Sequence, residues 1–343
     1  MSKVAVIILT YNNEEEIFPC LKSVLRQSYQ GEFQVVVVDN NSTDKTVEVV
    51  KNFPQVHLIE LDKNLGYAGG NNIGIEWAYK QGFDYFIVLN PDMEVDIDWL
   101  KNMLITVEKV DKPGLIQSKV LFWHEPYRIN TVGNPLHFLG FSWSGGYKKL
   151  SSQFLSIQEV PVASGSACLF SRQLVDKIGI FDDYYFMYHE DVDLSVRSRL
   201  AGFKNYLAPN AKVWHKYSFS FGTKKFYYSE RNRLIMLFSY YKFLTIVAIL
   251  PMFIATELSL LFYALFTGWL KWKIKSYGGF LRAGFHIWRK RRQAGRIRQL
   301  SDADLLSIMT GRLKFAEVDG PFLSVYSFVS SIYFKFLRFI VKW

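Results

Sequence analysis

From its N-terminus the chain alternates unbroken apolar runs with stretches of helical spacing. Val4–Leu9 is a continuous apolar run of the kind a parallel sheet buries on both faces. Glu14–Arg26 repeats apolar residues at helical spacing, with Ile17, Leu21, Val24 and Leu25 on one face. Val35–Val38 predicts a second buried strand ending at Asp39, and Ser42-Thr43-Asp44 supplies capping side chains for a helix through Val50. Val56–Leu61 predicts a third strand, Gly69–Tyr79 a helix entered through a glycine-rich turn, and Phe83–Leu89 a fourth strand ending at Asn90-Pro91-Asp92. This alternation implies an α/β layer around a mostly parallel sheet. Such sheets bind ligands beyond the carboxyl ends of their strands. Three polar clusters fall there: Thr10-Tyr11-Asn12, Asp39-Asn40-Asn41 and Asn90-Pro91-Asp92.

The pattern then loosens. Residues 115–180 hold Gly-, Ser- and Trp-rich stretches that suggest strand pairs and loops on an acceptor side. A helix is expected over Arg172–Ile178, and another follows His189-Glu190-Asp191-Val192-Asp193 to about Ala201. Ala211–Trp214 reads as strand and delivers His215. From Phe243 to Leu270 the chain is almost wholly apolar, with Glu257 its only formal charge and Pro251 interrupting it. That length is enough to cross a bilayer once. The chain divides into an expected catalytic unit over 1–225 and a helical region over 226–343. The helical region holds an apolar segment (243–270), a basic one (271–315) and an amphipathic one (321–343).

Charge changes the picture once it is located. The net charge is +10, and residues 271–315 carry twelve Lys and Arg against Asp302 and Asp304, which is the whole excess. A basic stretch directly after an apolar one fits anionic lipid headgroups better than a nucleic acid groove, with a solvated basic helix as the alternative. Two cysteines, Cys20 and Cys168, imply neither a disulfide framework nor a thiolate metal site, and point to a reducing compartment. No cleavage-site pattern follows Met1–Lys3, so no signal peptide is expected and the first apolar run reads as strand.

Four sets of residues carry candidate chemistry. Asp92, just past a buried strand, is placed to bind a divalent cation, although Asn-Pro-Asp is also ordinary turn chemistry. Glu190, Asp191 and Asp193 follow an aromatic run and open a helix, so they offer a general base or favourable charges on the helix dipole. Arg197 and Arg199 are positioned to pair with part of that cluster. His215 gains a metal-binding role only if the fold brings it to Asp92. Asn64-Leu65-Gly66-Tyr67-Ala68-Gly69-Gly70-Asn71-Asn72 lets backbone approach a phosphate at a helix start. It is neither the dinucleotide fingerprint nor a Walker-type loop, which argues against an oxidoreductase. Tyr11-Asn12-Asn13-Glu14 replaces the basic loop of a sugar nucleotidyltransferase.

In order along the chain, Val-Ile-Ile-Leu-Thr-Tyr-Asn (6–12), Val-Val-Val-Asp-Asn-Asn-Ser-Thr-Asp (36–44), the 64–72 segment, Leu-Asn-Pro-Asp (89–92), Glu-Asp-Val-Asp-Leu (190–194) and Val-Trp-His (213–215) resemble family 2 glycosyltransferases of the GT-A fold. The likeness is to their rhamnosyltransferase-like branch. It implies that Thr10, Tyr11, Asn12 and Asp39 hold base and ribose, and that Asn41 and the 64–71 segment (Asn64, Gly69, Gly70, Asn71) line the nucleotide pocket with Asn90. Asp92 and His215 would bind Mg²⁺ or Mn²⁺, with Asn90 standing where the family keeps the first Asp of its metal motif. Asp191 would be the catalytic base of an inverting transfer, with Glu190 and Asp193 as alternatives. The expected donor is dTDP-rhamnose, ahead of UDP-hexoses and GDP-mannose, and the expected acceptor is a saccharide, lipid-linked by preference; the alternative is a non-catalytic nucleotide-binding protein on the same fold, against which Asp92, Asp191 and His215 argue. A cytoplasmic donor and a basic segment on the same side argue against a single crossing. They favour a re-entrant hairpin broken near Pro251–Glu257, or helices lying in the interface at the cytoplasmic face of an anionic membrane.

Overall fold

The computed structural model describes residues 2–216, 223–314 and 320–343, with side chains from 225 and 323 in the last two stretches. The N-terminal part runs β1 (Val4–Thr10), α1 (Ile17–Val24), β2 (Phe33–Asp39), α2 (Thr46–Lys51), β3 (His57–Glu60), α3 (Gly66–Lys80), β4 (Tyr85–Leu89), β5 (Met93–Val95), α4 (Trp99–Lys109) and β6 (Pro113–Phe122). It continues through β7 (Ile129–Thr131), β8 (Gln158–Glu159), β9 (Ala167–Ser171), α5 (Arg172–Ile178), α6 (Glu190–Leu200) and β10 (Lys204–His215). Helices follow: α7 (Thr223–Tyr240), α8 (Phe243–Thr267), α9 (Leu270–Arg282), α10 (Gly284–Ile297), α11 (Asp302–Ser307) and α12 (Pro321–Ile340).

One sheet runs in the order β3-β2-β1-β4-β9-β6-β10-β5. β3, β2, β1 and β4 are parallel neighbours, as the apolar runs predict. β9 enters antiparallel between β4 and β6, and β6 then pairs parallel with β10. The sheet is therefore mixed, with its long strands mostly parallel. α1 and α4 cover one face, with Ile17, Leu21, Trp99 and Met103 over Val6, Ile8, Val35 and Val37. α3, α5 and α6 cover the other, with Ala68, Ile75, Leu174 and Leu194 over Ile7, Val36 and Val38. Each such aliphatic side chain taken fully from water contributes roughly 1.5–3 kcal/mol.

A third core joins the two expected units. Leu136, Phe138, Leu139, Tyr185, Val192 and Val196 pack with Ile235, Met236 and Tyr240 of α7, Leu305 and Leu306 of α11, and Phe334 and Leu337 of α12. The helical region thus completes the core beside α6. Residues 217–222, at the expected junction near 225, and Phe315, at the end of the expected basic segment, lie outside the described residues.

The expected break near Pro251–Glu257 does not occur. α8 runs through both positions as one helix of 25 residues. Glu257 turns to the protein side, where its carboxylate accepts from Arg233 Nη2 of α7 (2.5 Å) and Lys273 Nζ of α9 (2.8 Å). This ion pairing removes the reason for the chain to unwind there. Thr245, Ile249, Met252, Thr256 and Ala264 share that inner face. The opposite face exposes Phe243, Leu244, Val247, Ile254, Leu258, Phe262 and Phe266.

Candidate active site

The ends of β1 and β2 are locked to one another before any ligand is considered. Thr10 Oγ1 donates to Asp39 Oδ1 (3.1 Å), and Asp39 Oδ2 accepts the Ser42 N–H (2.9 Å). Asn12 and Asn41 both take left-handed backbone (φ 55° and 68°), a conformation Asn tolerates better than most residues. They turn the two chain ends over the sheet edge, where Asn12 Oδ1 accepts the Thr43 N–H (2.8 Å) and Tyr11 is exposed. Asn40, the middle residue of the second strand-end cluster, is buried. Its Nδ2 donates to Asn64 Oδ1 (3.0 Å) and its Oδ1 accepts the Leu65 N–H (2.8 Å), tying β2 to the start of α3.

That helix begins at Gly66, not Gly69, which changes the part its glycines play. A Cβ on Gly70 would lie 2.3 Å from Leu9 Cδ1, and one on Gly74 would lie 2.6 Å from Ile7 Cγ2. Gly69 and Gly70 are both buried inside α3, and the smallness of Gly70 and Gly74 answers close helix–sheet packing. Asn71 is buried too and donates to Tyr67 O within the helix (2.9 Å).

Asp92 and His215 meet, as a metal role for the histidine requires. β5 pairs antiparallel with β10, Met93 opposite His215, and His215 Nε2 lies 3.0 Å from Asp92 Oδ2. The other ring nitrogen, Nδ1, faces Asn130 Oδ1 at 3.0 Å. Asn130 Oδ1 can only accept, so Nδ1 carries hydrogen and Nε2 is the ring nitrogen aimed at the carboxylate. Asp92 Oδ1 is buried with no hydrogen-bond partner among the described residues. An orphaned carboxylate oxygen beside an oriented imidazole suits a divalent cation. Among the described residues no group of three His, Cys, Asp or Glu side chains is gathered for a metal. Mg²⁺ sites commonly take one or two carboxylates, with phosphate oxygens and waters in the rest of the shell.

The third cluster splits. Asp193 is fully buried, and its Oδ1 accepts from Tyr185 Oη (2.9 Å), Tyr240 Oη (2.5 Å) and Lys290 Nζ (2.6 Å), while Oδ2 accepts from Arg197 Nε (2.8 Å). Burial works against its charge, but Lys290 and Arg197 outweigh it and hold the carboxyl below its ordinary value. A carboxylate so enclosed reaches no acceptor, so Asp193 is removed as an alternative base. Arg197 pairs with the cluster as expected, whereas Arg199 turns to Glu159. Asp191 is different. Its Oδ2 accepts the Gly165 N–H (3.1 Å) and its Oδ1 the Val192 N–H (2.8 Å), and burial raises its pKa. Glu190 is buried with Oε2 unpartnered among the described residues, and burial, then the Asp191 charge, push its pKa well up.

The Ser164-Gly165-Ser166 segment knits these parts together. Gly165 N–H binds Asp191, Gly165 O accepts from Tyr67 Oη of α3 (2.6 Å), and Ser166 O accepts the Asn90 N–H (2.9 Å). β9 leaves this segment opposite Leu89, so Asn90, Tyr67 and Asp191 share one loop. The sequence assigns no role to Asn40, Asn130, Gly165 or Tyr185. Asn40 had a usable signal, because it stands between two residues already singled out.

Sheet, strand-end clusters and the Asp92–His215 pair define an α/β protein of GT-A type. Residues 5–179 match the model of glycosyl transferase family 2, and the chain belongs to that family. It is 28% identical over 200 residues to a low-salt glycan biosynthesis hexosyltransferase of Haloferax volcanii, covering 58% of this chain and 62% of that protein. It is 29% identical over 240 residues to an N-acetylglucosaminyl-diphospho-decaprenol L-rhamnosyltransferase of Mycobacterium tuberculosis, covering 63% and 77%. The fold is similar to Staphylococcus aureus TarS residues 1–349 in complex with UDP (TM-score 0.54, 16% identity, 98% of this chain and 90% of that one). It is also similar to GalNAc-T7 with UDP, GalNAc and Mn²⁺ (TM-score 0.56, 15% identity, 71% and 49%).

Proposed function

We propose that the protein is an inverting, metal-dependent hexosyltransferase that moves a sugar, best matched by L-rhamnose from dTDP-rhamnose, to a lipid-linked saccharide. The observation that carries this is the convergence of Asp191, Tyr67 and Asn90 on one loop at the sheet's ligand edge. There the half-buried Asp191 carboxylate is held by two backbone N–H groups. Family membership and the rhamnosyltransferase among its relatives support the donor.

Asp191 accepts the proton of the acceptor hydroxyl as that oxygen attacks the anomeric carbon. The bond to the nucleoside diphosphate breaks on the opposite face, and configuration inverts. Thr10, Tyr11, Asn12, Asp39 and Asn41 form the rim for base and ribose, with Asn64 and Asn90 beside them. Asp92 and His215 would hold a divalent cation that offsets charge on the departing diphosphate. Glu190 is the second candidate for base.

The 226–343 region serves as a membrane-facing half. α8 has one face packed on the protein and the other bare and apolar, and α12 likewise exposes Val325, Phe328, Ile332, Phe336 and Phe339. Ile274, Leu281, Phe285 and Trp288 stand out from α9 and α10 among exposed Lys271, Lys275, Arg282, Arg289 and Arg292. Apolar stripes flanked by cations suit helices lying in an anionic interface, here at the cytoplasmic face.

The test is nucleoside diphosphate release by the purified protein with Mn²⁺ and a lipid-linked saccharide extract, offering dTDP-rhamnose, UDP-hexoses and GDP-mannose separately. Release from dTDP-rhamnose that stops with EDTA is expected. Turnover only with another donor would remove the rhamnose assignment, and none with any donor would remove the transferase.

A further inference from the structure

The segment that delivers Asp191 is held from outside the expected catalytic unit. Between Tyr184 and Glu190 the backbone takes left-handed angles at Phe186 (φ 62°), Tyr188 (φ 66°) and His189 (φ 68°). None of the three is glycine, and bulky residues rarely occupy that region. Three such positions in four residues persist only where surrounding structure over-determines them. The His189 side chain makes no capping bond to α6, so the helix end does not impose the shape.

α7 supplies what does. Asn232 is fully buried, and its Nδ2 donates to three carbonyl oxygens of this loop: Tyr185 O (3.0 Å), Met187 O (2.9 Å) and Tyr188 O (2.7 Å). Arg231 adds Nη2 bonds to Tyr184 O (2.8 Å) and Tyr185 O (3.0 Å). Its Nε donates to Asn232 Oδ1 (2.9 Å), which fixes the amide with its N–H groups toward the loop. An amide has two hydrogens, so one of them is shared between carbonyls, and the three contacts draw the loop in around Asn232. On the far side the Phe186 carbonyl accepts the Ala68 N–H of α3 (3.2 Å).

We propose that Asn232, oriented by Arg231, is a positioning residue for transfer: it holds the 184–189 turn in its left-handed path and so sets where Asp191 meets the acceptor. This rests on the reading of Asp191 as base. Asn232 touches no reacting atom. It acts through three carbonyls and the first turn of α6, and the helix that carries it belongs to the membrane-facing region. The sequence held one signal. Ser229-Glu230-Arg231-Asn232-Arg233 is a polar run between the aromatic Phe226-Tyr227-Tyr228 and the apolar Leu234-Ile235-Met236-Leu237-Phe238 of one helix, and residues 230 to 233 are all buried. Glu230 and Arg233 go to the ion cluster with Glu257 and Lys273. Arg231 and Asn232 are left for the loop.

The test uses the full chain carrying Asn232→Ala, Arg231→Lys or Asp191→Asn. Nucleoside diphosphate release gives kcat, and titration with dTDP gives nucleotide affinity. Asn232→Ala is expected to lower kcat by about 100-fold, the scale of a misplacement near 1 Å, while dTDP affinity falls far less, because the turn meets the nucleotide side at the start of α3, through Gly66 and Ala68. Arg231→Lys should lose kcat in the same direction and by less, and it decides the matter if the alanine variant does not fold. Unchanged kcat in the variants, or equal losses of kcat and dTDP affinity, would overturn the proposal. Asp191→Asn separates the two readings. If it is inactive while Asn232→Ala is fully active, the positioning role alone falls. If Asp191→Asn retains full activity, the base assignment falls and takes the role of the clamp with it.

Discussion

Adjacent carboxyls at 190 to 193 show how environment rather than residue type assigns a role. Asp193 is spent on Lys290, Arg197 and two tyrosines, whereas Asp191 meets only backbone N–H groups and keeps capacity for a proton. Replacing it by Asn should reduce kcat by about 10²–10⁴-fold, the range for a lost general base, with donor affinity kept. Burial raises the Asp191 pKa, so it stays protonated, and idle as a base, to higher pH than an ordinary carboxyl. The acid limb of kcat should therefore lie above about pH 4, the unperturbed Asp value. A kcat profile flat through that range would count against Asp191. For the cation, Asn130 matters as the partner that fixes the His215 tautomer. Its replacement by Ala should raise the half-saturating Mn²⁺ concentration by about 10–100-fold, as losing an outer-shell partner commonly does. A Mn²⁺ titration of activity checks it.

At the scale of elements, α3 and the 184–189 turn meet at Gly66. This residue has φ +74°, and a Cβ there would lie 2.4 Å from the Phe186 carbonyl oxygen. Both the angle and the contact forbid a side chain, so Gly66→Ala should destabilise the fold by roughly 1–3 kcal/mol and lower Tm in a calorimetric scan. An unchanged Tm would mean that the turn yields. β1, β2 and β4 were legible because apolar runs such as Val35–Val38 are buried and bounded by polar turns. β9 was not, because Ala167–Ser171 owes its place to antiparallel pairing with β4, some eighty residues earlier, which no local pattern records. Likewise Asp92 and Asp191 announced themselves as acids at element ends. Asn130 and Asn232 are ordinary amides whose roles arise from contacts 85 and about 45 residues away. Pro251 misled for a related reason: proline marks a break in isolation, but packing of α8 on α7 and α9 carries the helix through.

For the whole molecule, two properties follow from the helices around the third core. The bare faces of α8 and α12 should bind vesicles containing anionic phospholipid in a flotation assay, less at high salt. Phe262→Ser with Phe266→Ser should weaken binding, and a wild-type protein that stays in the bottom fraction would end the membrane reading. The second property concerns acid. Glu230 loses charge stability through burial but gains more from Arg233 and Lys273, which bring its pKa down to about 2, and Asp193 is lowered likewise. Groups depressed in the folded state add stability above their unfolded values, and that stability drains as pH falls through the folded ones. Tm should accordingly begin to fall below about pH 6.5, where the unfolded chain protonates His137 and His189 that burial keeps neutral in the fold, and drop more steeply below about pH 4.5, the ordinary Glu range.

The shared core also sets what can be cut away. A fragment ending near residue 225 would strip Leu136, Phe138, Leu139 and Tyr185 of their covering, take Lys290 and Tyr240 from the buried Asp193, and free the turn before Asp191. Trimming the greasy third to make a tractable sample would yield a sticky, unfinished enzyme. A water-soluble form is better sought by recolouring the outer faces of α8 and α12 with polar residues, leaving every inward-facing position of the helices in place.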